Sequence, residues 1–596
     1  MFLTLLLCFA QLPGPAGYSL PILDLDGDTH RQVIVDREAG QYLGHVTTTL
    51  LDDGKTLIAV YPKGHGKGAI VMKRSEDGGR TWSERLEVPD NWSTSQEVPT
   101  IFPTLDPAGK KHLILFSGLA PIRLAHSEDD GQTWSNLEPI GDFGGIVACA
   151  TMMRLKNGDY LAMFHDDGRF LGAPLQPQDS NPFHVYQIRS KDGGLTWSAP
   201  QVAATHRRAH LCEPLILRSP NGEQLLCLMR ENSRQYNSFY MTSEDEGSTW
   251  SKPQQLSAAL TGDRHTGTYA PDGRLFLSFR DTARRSPTQG DWIGWVGTYS
   301  DIVNGREGQY RVRLKDNKHL WDCAYPGVNL LPDGTFVCTT YGHWDDKDAP
   351  YILSVRIQLT ELDELLGAGN SLLANLPNPA TTPEARDGWW MDRHRAIEAN
   401  VKLAAAQDPA AVDLLFIGDS ITQGWEGAGK EIWAENYSSP RTALNFGIGG
   451  DRTQHVLWRL AESSVLNLTS KVAVVMIGTN NSNTDSGADI ADGIFAILRE
   501  LRAKQPNMHI LLLLIFPRGA DAEDALRKVN DDANRRIAIA ADDPMIEVLD
   551  LSSVFLDADG KLPPAIMPDF LHPQAEGYRR WAAALEPKLQ ELGILR

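Results

Sequence analysis

Four copies of one short motif constrain the fold of this chain more than any other feature. The pattern S-x-D-x-G-x-T-W occurs in the segments that begin at Ser75, Ser127, Ser190 and Ser243. Its Asp and Gly are typical of a tight turn, in which Gly adopts the positive φ that a side chain disfavours. The Trp is predicted to pack back on the hairpin. Repeated turns of this kind predict a repeated unit of β structure.

A second repeat, a turn followed by an apolar strand, is interleaved with the first. Examples are NGDYLAMFH and PDGRLFLSFR. The six turn glycines are Gly54, Gly109, Gly158, Gly222, Gly273 and Gly334. Their period of about 50 to 60 residues, with strands and no convincing helices, is typical of one four-stranded blade per repeat. The sequence therefore predicts an all-β six-bladed propeller over residues 20–365.

The rest of the chain has a different pattern. Residues 366–390 are rich in Gly, Asn, Pro and Ala, which predicts an interdomain linker. In residues 391–596, apolar runs such as VDLLFIG and KVAVVMIG alternate with helical patterns, including 487–504 and 521–541. Such runs are typical of buried parallel strands. We therefore predict a multidomain chain whose second domain is a three-layer α/β fold, with ligands at the carboxyl ends of its strands.

Polar residues follow the predicted strands of this second domain. Ser420 lies in GDSITQGW after the first strand, and Gly450 lies in NFGIGGD after the second. Asn480 lies in VVMIGTNN after the third strand, and Asp569 and His572 form a D-x-x-H pair before the last helix. Because parallel strands end at the same edge of a sheet, we expect these residues to converge.

This set of residues meets the chemical needs of ester hydrolysis. The Ser420 hydroxyl becomes a good nucleophile only when a base, here His572, takes its proton, and Asp569 orients that base. The oxyanion of the intermediate needs fixed donors, for which the backbone N–H groups of Ser420 and Gly450 and the Asn480 amide are the candidates. Taken alone, GDS is a common turn and DxxH often caps a helix, but four blocks in order favour a serine esterase.

These blocks resemble those of the SGNH (GDSL) hydrolases, and NFGIGGDRTQHVLWRL is similar to the catalytic subunits of platelet-activating-factor acetylhydrolase. The resemblance spans about residues 390–592 and implies the same catalytic triad and oxyanion donors. It also implies small acyl substrates, commonly acetyl, on lipid or carbohydrate. The neighbouring Asp419, Asp451 and Asn481 are interpreted as making local hydrogen bonds.

The turn motif, an Asp-box, set in a six-fold array resembles the sialidase superfamily, in which the box is structural. Sialidases use three arginines for the substrate carboxylate, an Asp acid, and a Tyr nucleophile with a Glu partner. The resemblance suggests Glu213 as that partner, Arg230 and Arg280 as two of the arginines, and Tyr325 as the nucleophile.

Two positions depart from the sialidase pattern. His45 stands near the place of the first arginine, and His65 stands where an acidic residue is expected. Arg123 and Asp166, on other blades, are the candidates to replace them. The alternatives of an anion-binding pocket, glycosidic cleavage, or simple rim ion pairs and packing between blades stay open.

Composition excludes several classes of function. The formal net charge of −19 argues against nucleic acid or an anionic membrane as a partner, because phosphate groups are bound by clustered cations. No stretch reaches the roughly 18 apolar residues of a membrane span. Residues 1–19 combine an apolar run with small residues, which predicts a signal peptide and an exported protein, although no Lys or Arg precedes the run.

Neither a metal nor a cofactor is expected. The histidines lack ligand spacing such as HExxH, and serine chemistry needs no metal. The six cysteines form no CxxC pair and are predicted to be buried thiols, with a Cys212–Cys227 or Cys323–Cys338 bridge left open.

Three functions remain compatible with the sequence. The first is an exported esterase that removes acetyl groups from glycans such as sialoglycans, whose propeller binds the carbohydrate or also cleaves it as a sialidase. The second is a lipid or small-ester acetylhydrolase with the propeller as an interaction scaffold. The third, a binding protein with a degenerate active site, is disfavoured by the intact motif blocks.

Overall fold

The computed structural model describes residues 17–171, 181–319, 321–346, 348–369, 372–373, 378–410, 412–438 and 441–595. The chain forms two compact units, Gly17–Leu376 and Pro377–Arg596, which we call the propeller unit and the hydrolase unit. The signal peptide predicted over residues 1–19 lies largely outside the described residues, as does Cys8.

The regular secondary structure in the described part of the propeller unit is almost entirely strand, with two short α-helices. The strands are β1 (Ile22–Asp24), β2 (Gln32–Asp36), β3 (Thr47–Leu50), β4 (Leu57–Pro62), β5 (Ile70–Ser75), β6 (Thr100–Leu105), β7 (Lys111–Ser117), β8 (Arg123–Ser127), β9 (Glu138–Pro139), β10 (Ile146–Arg154), β11 (Tyr160–Asp166), β12 (His184–Ser190), β13 (Gln201–Thr205), β14 (Leu211–Arg218), β15 (Leu225–Glu231), β16 (Phe239–Ser243), β17 (Gln254–Gln255), β18 (Gly262–Tyr269), β19 (Leu275–Asp281), β20 (Trp292–Gly297), β21 (Tyr310–Lys315), β22 (Gly327–Leu330), β23 (Phe336–Gly342), β24 (Tyr351–Ile357) and β25 (Leu372–Leu373). The helices are α1 (Tyr299–Val303) and α2 (Leu359–Gly367).

These strands form six antiparallel blades, which confirms the predicted propeller. The blades begin with β3, β6, β10, β14, β18 and β22. These first strands contact one another in order around the ring, and β22 contacts β3. The sixth blade is completed by β2, whose Gln32 pairs with Val355 of β24, so the ring is closed by an early strand. The first blade has three strands instead of the four expected, and β1 adds to the fifth blade in parallel with β21.

Each Asp-box forms the turn after the third strand of its blade, and the Asp carboxylate holds it together. In the third blade, Asp192 Oδ1 accepts hydrogen bonds from Ser190 Oγ at 2.8 Å and from the backbone N–H of Thr196 at 2.9 Å. Its other oxygen accepts from Thr196 Oγ1 at 2.5 Å. Gly194 has a φ of +91°, a conformation that side chains disfavour. The box is therefore a structural element that organises its own turn.

We predict that Asp192→Ala lowers the free energy of unfolding of the propeller unit by about 2 kcal/mol, because several donors lose a charged acceptor. Lys191→Ala, a change at an exposed neighbour in the same turn, is expected to have little effect. Urea unfolding of the full chain measures both. Equal unfolding midpoints for the two variants would show that the carboxylate does not stabilise the turn.

The hydrolase unit alternates strands and helices. Its strands are β26 (Leu414–Gly418), β27 (Ala443–Gly447), β28 (Val472–Met476), β29 (His509–Leu513) and β30 (Ile546–Leu549). Its helices are α3 (Trp389–Gln407), α4 (Ser420–Gln423), α5 (Lys430–Asn436), α6 (Thr453–Glu462), α7 (Gly487–Lys504), α8 (Ala525–Ile537) and α9 (Ala575–Glu591). The helix predicted over 487–504 matches α7, and the one predicted over 521–541 is shorter.

The five strands form one parallel sheet in the order β27–β26–β28–β29–β30, with both faces covered. Leu414 and Phe416 point to the face that packs against Trp581 of α9. The alternate residues Leu415 and Ile417 are equally buried on the other face. Continuous burial is what both faces of a parallel sheet require, and the predicted three-layer α/β fold is confirmed.

The five described cysteines are all buried and free, so neither of the two disulfides considered from the sequence is formed. Helices in the described ranges are all too short or too polar to cross a membrane.

Candidate active site

The candidate nucleophile lies where the central strand β26 ends. Strand β26 stops at Gly418, and α4 begins at Ser420. Asp419 is fully buried, and its Oδ1 accepts a hydrogen bond from the backbone N–H of Ile421 at 2.9 Å, which caps this short helix. A Cβ at Gly418 would come within 2.4 Å of the Met476 carbonyl oxygen. The strand-to-helix turn that presents Ser420 therefore requires both the acidic cap and the glycine.

A chain of two hydrogen bonds connects Ser420 to the D-x-x-H pair. Ser420 Oγ lies 2.9 Å from His572 Nε2, and His572 Nδ1 lies 2.6 Å from Asp569 Oδ2. A carboxylate only accepts hydrogen bonds, so Nδ1 carries the proton and Nε2 is left to accept from the serine. The structure thus brings the nucleophile together, in the expected order, with a base and a carboxylate that lie about 150 positions later in the sequence.

The loop before α9 holds Asp569 in place. Phe570 adopts a φ of +55°, which turns the backbone N–H groups of Leu571 and His572 onto Asp569 Oδ1, at 3.1 and 2.8 Å. Burial by itself raises the pKa of Asp569, but the hydrogen bonds from the His572 backbone and ring outweigh it and keep the pKa below its ordinary value. The carboxylate therefore stays charged, as an orienting partner of the imidazole must.

The predicted oxyanion donors lie beside the nucleophile. Among the described residues, the backbone N–H groups of Ser420 and Gly450 have no acceptor, which leaves both available to a ligand. Gly450 has a φ of +74°, where a side chain would be strained. Asn480 Nδ2 donates one hydrogen to the Asp451 carbonyl at 2.9 Å, and an amide nitrogen has a second hydrogen to offer.

The acidic and amide side chains next to these donors form hydrogen bonds with other groups of the protein. Asp451 is fully buried and accepts from Trp390 Nε1 at 2.6 Å and from Arg459 Nη1 at 2.5 Å. Asn481 Nδ2 donates to Asp485 Oδ2 at 2.8 Å. Burial raises the pKa of Asp419 to about 7. None of these side chains contacts the hydroxyl of the nucleophile, and their contacts match a supporting role.

The propeller unit contains a second cluster, in a cavity of about 380 Å³. Glu213, Arg230 and Tyr325 all line it, together with His45 and His65. Tyr325 Oη donates to Glu213 Oε1 at 2.5 Å, and Arg230 Nη1 donates to the same oxygen at 2.7 Å. Burial raises the pKa of Tyr325 well above its ordinary value, whereas Arg230 outweighs burial and lowers the pKa of Glu213.

Three other propeller candidates do not line this cavity. Arg123 lies on β8, the third strand of its blade, and its guanidinium donates hydrogen bonds to Thr94. Asp166 accepts from the N–H of Gly168 at 3.0 Å and caps a turn. The guanidinium of Arg280 is paired with the buried Asp263. These residues therefore do not complete the set of ligands expected from the sequence.

We find no group of three or more His, Cys, Asp or Glu side chains, within the described ranges, with the arrangement of a metal site.

Comparison with known proteins separates the two units. Residues 416–580 match the GDSL-like lipase/acylhydrolase family. Platelet-activating factor acetylhydrolase IB subunit alpha2 of Rattus norvegicus is 36% identical over 221 residues, covering 36% of this chain and 92% of the rat protein. The alpha1 subunit of Homo sapiens is 35% identical over 226 residues, covering 38% of this chain and 93% of the human one. The chain belongs to the GDSL-like lipase/acylhydrolase family.

This acylhydrolase carries an additional domain of another family. Residues 118–289 match a BNR repeat-like domain. A solved structure of the NanB sialidase from Streptococcus pneumoniae is similar with a TM-score of 0.40 and 13% identity, covering 56% of this chain and 71% of that one. With the six blades described above, the predicted fusion of a BNR-repeat propeller to a GDSL hydrolase is confirmed.

Two side chains of this acylhydrolase, Arg386 and Trp389, lie beside the candidate nucleophile and were missed from the sequence. A Cβ at Gly449 would lie 3.4 Å from Trp389 Cη2 and 3.8 Å from Ser420 Cβ, so the indole and the serine flank the same point. Arg386 Nη1 donates to the Gly449 carbonyl at 3.0 Å, and its guanidinium lies 5.7 Å from the indole centre. The adjacent tryptophans of DGWW, at the end of the predicted linker, were the available signal.

We predict that Asp569→Asn lowers the kcat of ester hydrolysis by about 10³- to 10⁴-fold with little change in KM, because an amide that donates to Nδ1 favours the wrong tautomer of His572. Asp557→Asn, in an exposed turn of the same unit, is the matched control and is expected to keep full activity. Hydrolysis of 4-nitrophenyl acetate measures both. An Asp569→Asn variant with more than a tenth of the original kcat would contradict this role.

Proposed function

We propose that the hydrolase unit is a serine esterase that removes small acyl groups, acetyl in particular, from glycans. The observation that carries this proposal is the chain of hydrogen bonds from Asp569 through His572 to Ser420, next to two backbone N–H groups that have no acceptor among the described residues. A nucleophile, a base and preorganised donors are the components that acyl transfer needs.

The geometry supports a two-step reaction. Ser420 Oγ attacks the ester carbonyl carbon while His572 Nε2 takes its proton, and the oxyanion accepts hydrogen bonds from the donors at Ser420, Gly450 and Asn480. His572 then gives the proton to the leaving alcohol oxygen, which breaks the ester bond. Water attacks the acyl-serine in the same way and releases the acid. Asp569 stabilises the imidazolium in both steps.

Acetyl is the proposed acyl group because of the relatives. Two relatives, of which this chain covers 92% and 93%, are named platelet-activating factor acetylhydrolases. The presence of Ser420, the Gly450 turn and Asn480 at one site supports acyl transfer by this chain. The alcohol side of the ester is a separate question, because the triad acts on the acyl carbon alone.

Trp389 supports a glycan as the alcohol side. Its side chain is 58% exposed and lies beside the nucleophile, so the indole is available to a substrate. A flat indole face packs well against the C–H face of a sugar ring, and a ring packed on it would lie next to Ser420. A lipid or small-ester substrate, with the propeller as a scaffold, is the alternative. The exported location stays a prediction.

Mass spectrometry of acetylated glycans tests the proposed reaction. The full chain and its Ser420→Ala variant are incubated with an O-acetylated neutral oligosaccharide and with an O-acetylated sialoside. We expect loss of 42 Da per acetyl group, as the chemistry of deacetylation requires, and no such loss in the variant. Hydrolysis of 4-nitrophenyl acetate by a chain that leaves every acetylated glycan intact would retain the esterase and overturn the glycan substrate.

We predict that Trp389→Ala raises KM for an acetylated oligosaccharide by about tenfold, because a stacked ring contributes about 1 kcal/mol or more. The KM for 4-nitrophenyl acetate, which has no sugar ring, is expected to stay within twofold. Trp321→Ala removes another exposed tryptophan, in the propeller unit, and serves as the matched control. Equal changes of KM for both substrates in Trp389→Ala would indicate a merely structural role for the indole.

A further inference from the structure

The propeller cavity contains buried polar atoms without partners. Glu213 is 3% exposed and His45 is 4% exposed, and both line the cavity. Within the described residues, Glu213 Oε2 and His45 Nδ1 have no hydrogen-bond partner. Leaving a buried polar atom unsatisfied costs about 1–3 kcal/mol, more for a charged group. Two such atoms on one cavity wall are available to bond to a polar ligand.

The two arginines on the cavity wall are already paired with carboxylates. Arg230 donates to Glu213 and, through Nη2, to Asn232 Oδ1 at 2.6 Å. Arg169, the other arginine on the cavity wall, is paired with Asp167 at 2.7 Å.

Four further basic side chains on the wall do not replace an arginine clamp. Burial lowers the pKa of His45 and of His165 below the ordinary value, so these rings stay uncharged. His65 Nδ1 lies 2.7 Å from Tyr42 Oη and 3.2 Å from Asp322 Oδ1. Lys67 is exposed at the rim and, in the described part of the chain, forms no ion pair. A single ammonium group cannot provide the bidentate geometry with which arginines hold a carboxylate.

The third arginine expected from the sialidase pattern is neutralised by Asp263. Arg280 Nε donates to Asp263 Oδ2 at 2.9 Å, and Arg234 Nη2 donates to the same oxygen at 2.7 Å. Arg280 Nη1 also donates to the carbonyl of Cys323 at 3.3 Å. The Asp263 carboxylate is fully buried, and the guanidinium groups of Arg230, Arg280 and Arg234 keep its pKa far below the ordinary value against the opposing effect of burial.

The free groups on the wall accept hydrogen bonds from hydroxyls. Tyr325 donates a hydrogen bond to Glu213 Oε1, which fixes the position of the unpaired Oε2. The charge of Glu213 would repel a ligand carboxylate beside Oε2. Glu97 lines the same cavity, and burial raises its pKa to about 7. Phe183 adds a flat apolar surface, with its ring stacked on His210 at 4.5 Å. Carboxyl oxygens beside an aromatic face suit a sugar without charge.

We propose that this cavity binds the terminal sugar of a neutral glycan, with ring hydroxyls donating to Glu213 and Glu97 and the ring packed against Phe183. The cavity volume of about 380 Å³ accommodates one to two sugar rings. It does not select the carboxylate of a sialic acid. The propeller is then a glycan-recognition module that acts independently of the chemistry at Ser420.

A glycan array tests this proposal with the full-length Ser420→Ala variant, which does not consume acyl esters. The array carries oligosaccharides that end in galactose, glucose, mannose, xylose or fucose, each with and without an added sialic acid. We expect binding to at least one neutral terminus and a loss of at least tenfold when that terminus is capped. Tighter binding to the capped partner, or no binding by the folded protein, would overturn the proposal.

Variants then locate the bound sugar. Titration calorimetry with the best neutral ligand at pH 8, where Glu97 is charged, compares Glu213→Gln and Glu97→Gln with Glu128→Gln, a glutamate paired with Lys110 outside the cavity. We expect Kd to rise at least tenfold in the first two and to stay within twofold in the third. Unchanged affinity in both cavity variants would place the sugar elsewhere, and thermal unfolding verifies that each variant is folded.

Discussion

The pairing of β2 with β24 is the interaction on which the propeller unit depends. It joins residues near the start of the chain to the sixth blade, and so converts six consecutive sheets into a closed ring. Closure brings the first strands of all blades around one axis, where the cavity lies. The hydrolase unit also brings distant residues together, through a parallel sheet whose strands all end at the same side. In both units, distant residues meet because strands begin or end at a common place.

Much of this architecture could be predicted because its signals are local. The turn glycines and Asp-boxes mark blades wherever they occur, and the motif blocks of the hydrolase unit directly follow apolar strands. Ser420, Gly450 and Asn480 could therefore be assigned to one sheet edge from the sequence alone. The sequence pattern did not indicate where residues other than glycine adopt an unusual backbone conformation. His45 and Glu213 both adopt positive φ near the first strands of their blades, and no residue preference indicates this.

Side chains that reach a site from outside its motifs were also beyond prediction. Arg386 and Trp389 lie at the end of a stretch whose composition is typical of a linker, and nothing in that composition relates them to Gly449. Their position results from α3, which begins at Trp389 and contributes the buried Trp390 to Asp451. The second tryptophan anchors the helix, and the first is consequently exposed at the nucleophile. The linker boundary that composition predicts at residue 390 therefore falls inside α3, between residues that belong to one helix.

The role of an arginine depends on its neighbours more than on its place in a motif. The resemblance to sialidases predicted Arg280 as a carboxylate ligand. In the structure, Arg280 Nε donates a hydrogen bond to Asp263 Oδ2 of the protein itself, at 2.9 Å. Asp263 in turn is stabilised by Arg230 and Arg234, so removing its charge would leave several guanidinium groups without compensation. A ligand carboxylate would have to displace this partner at the cost of a buried, unpaired charge. Arg230, Arg234 and Arg280 therefore form one ion-pair network around Asp263.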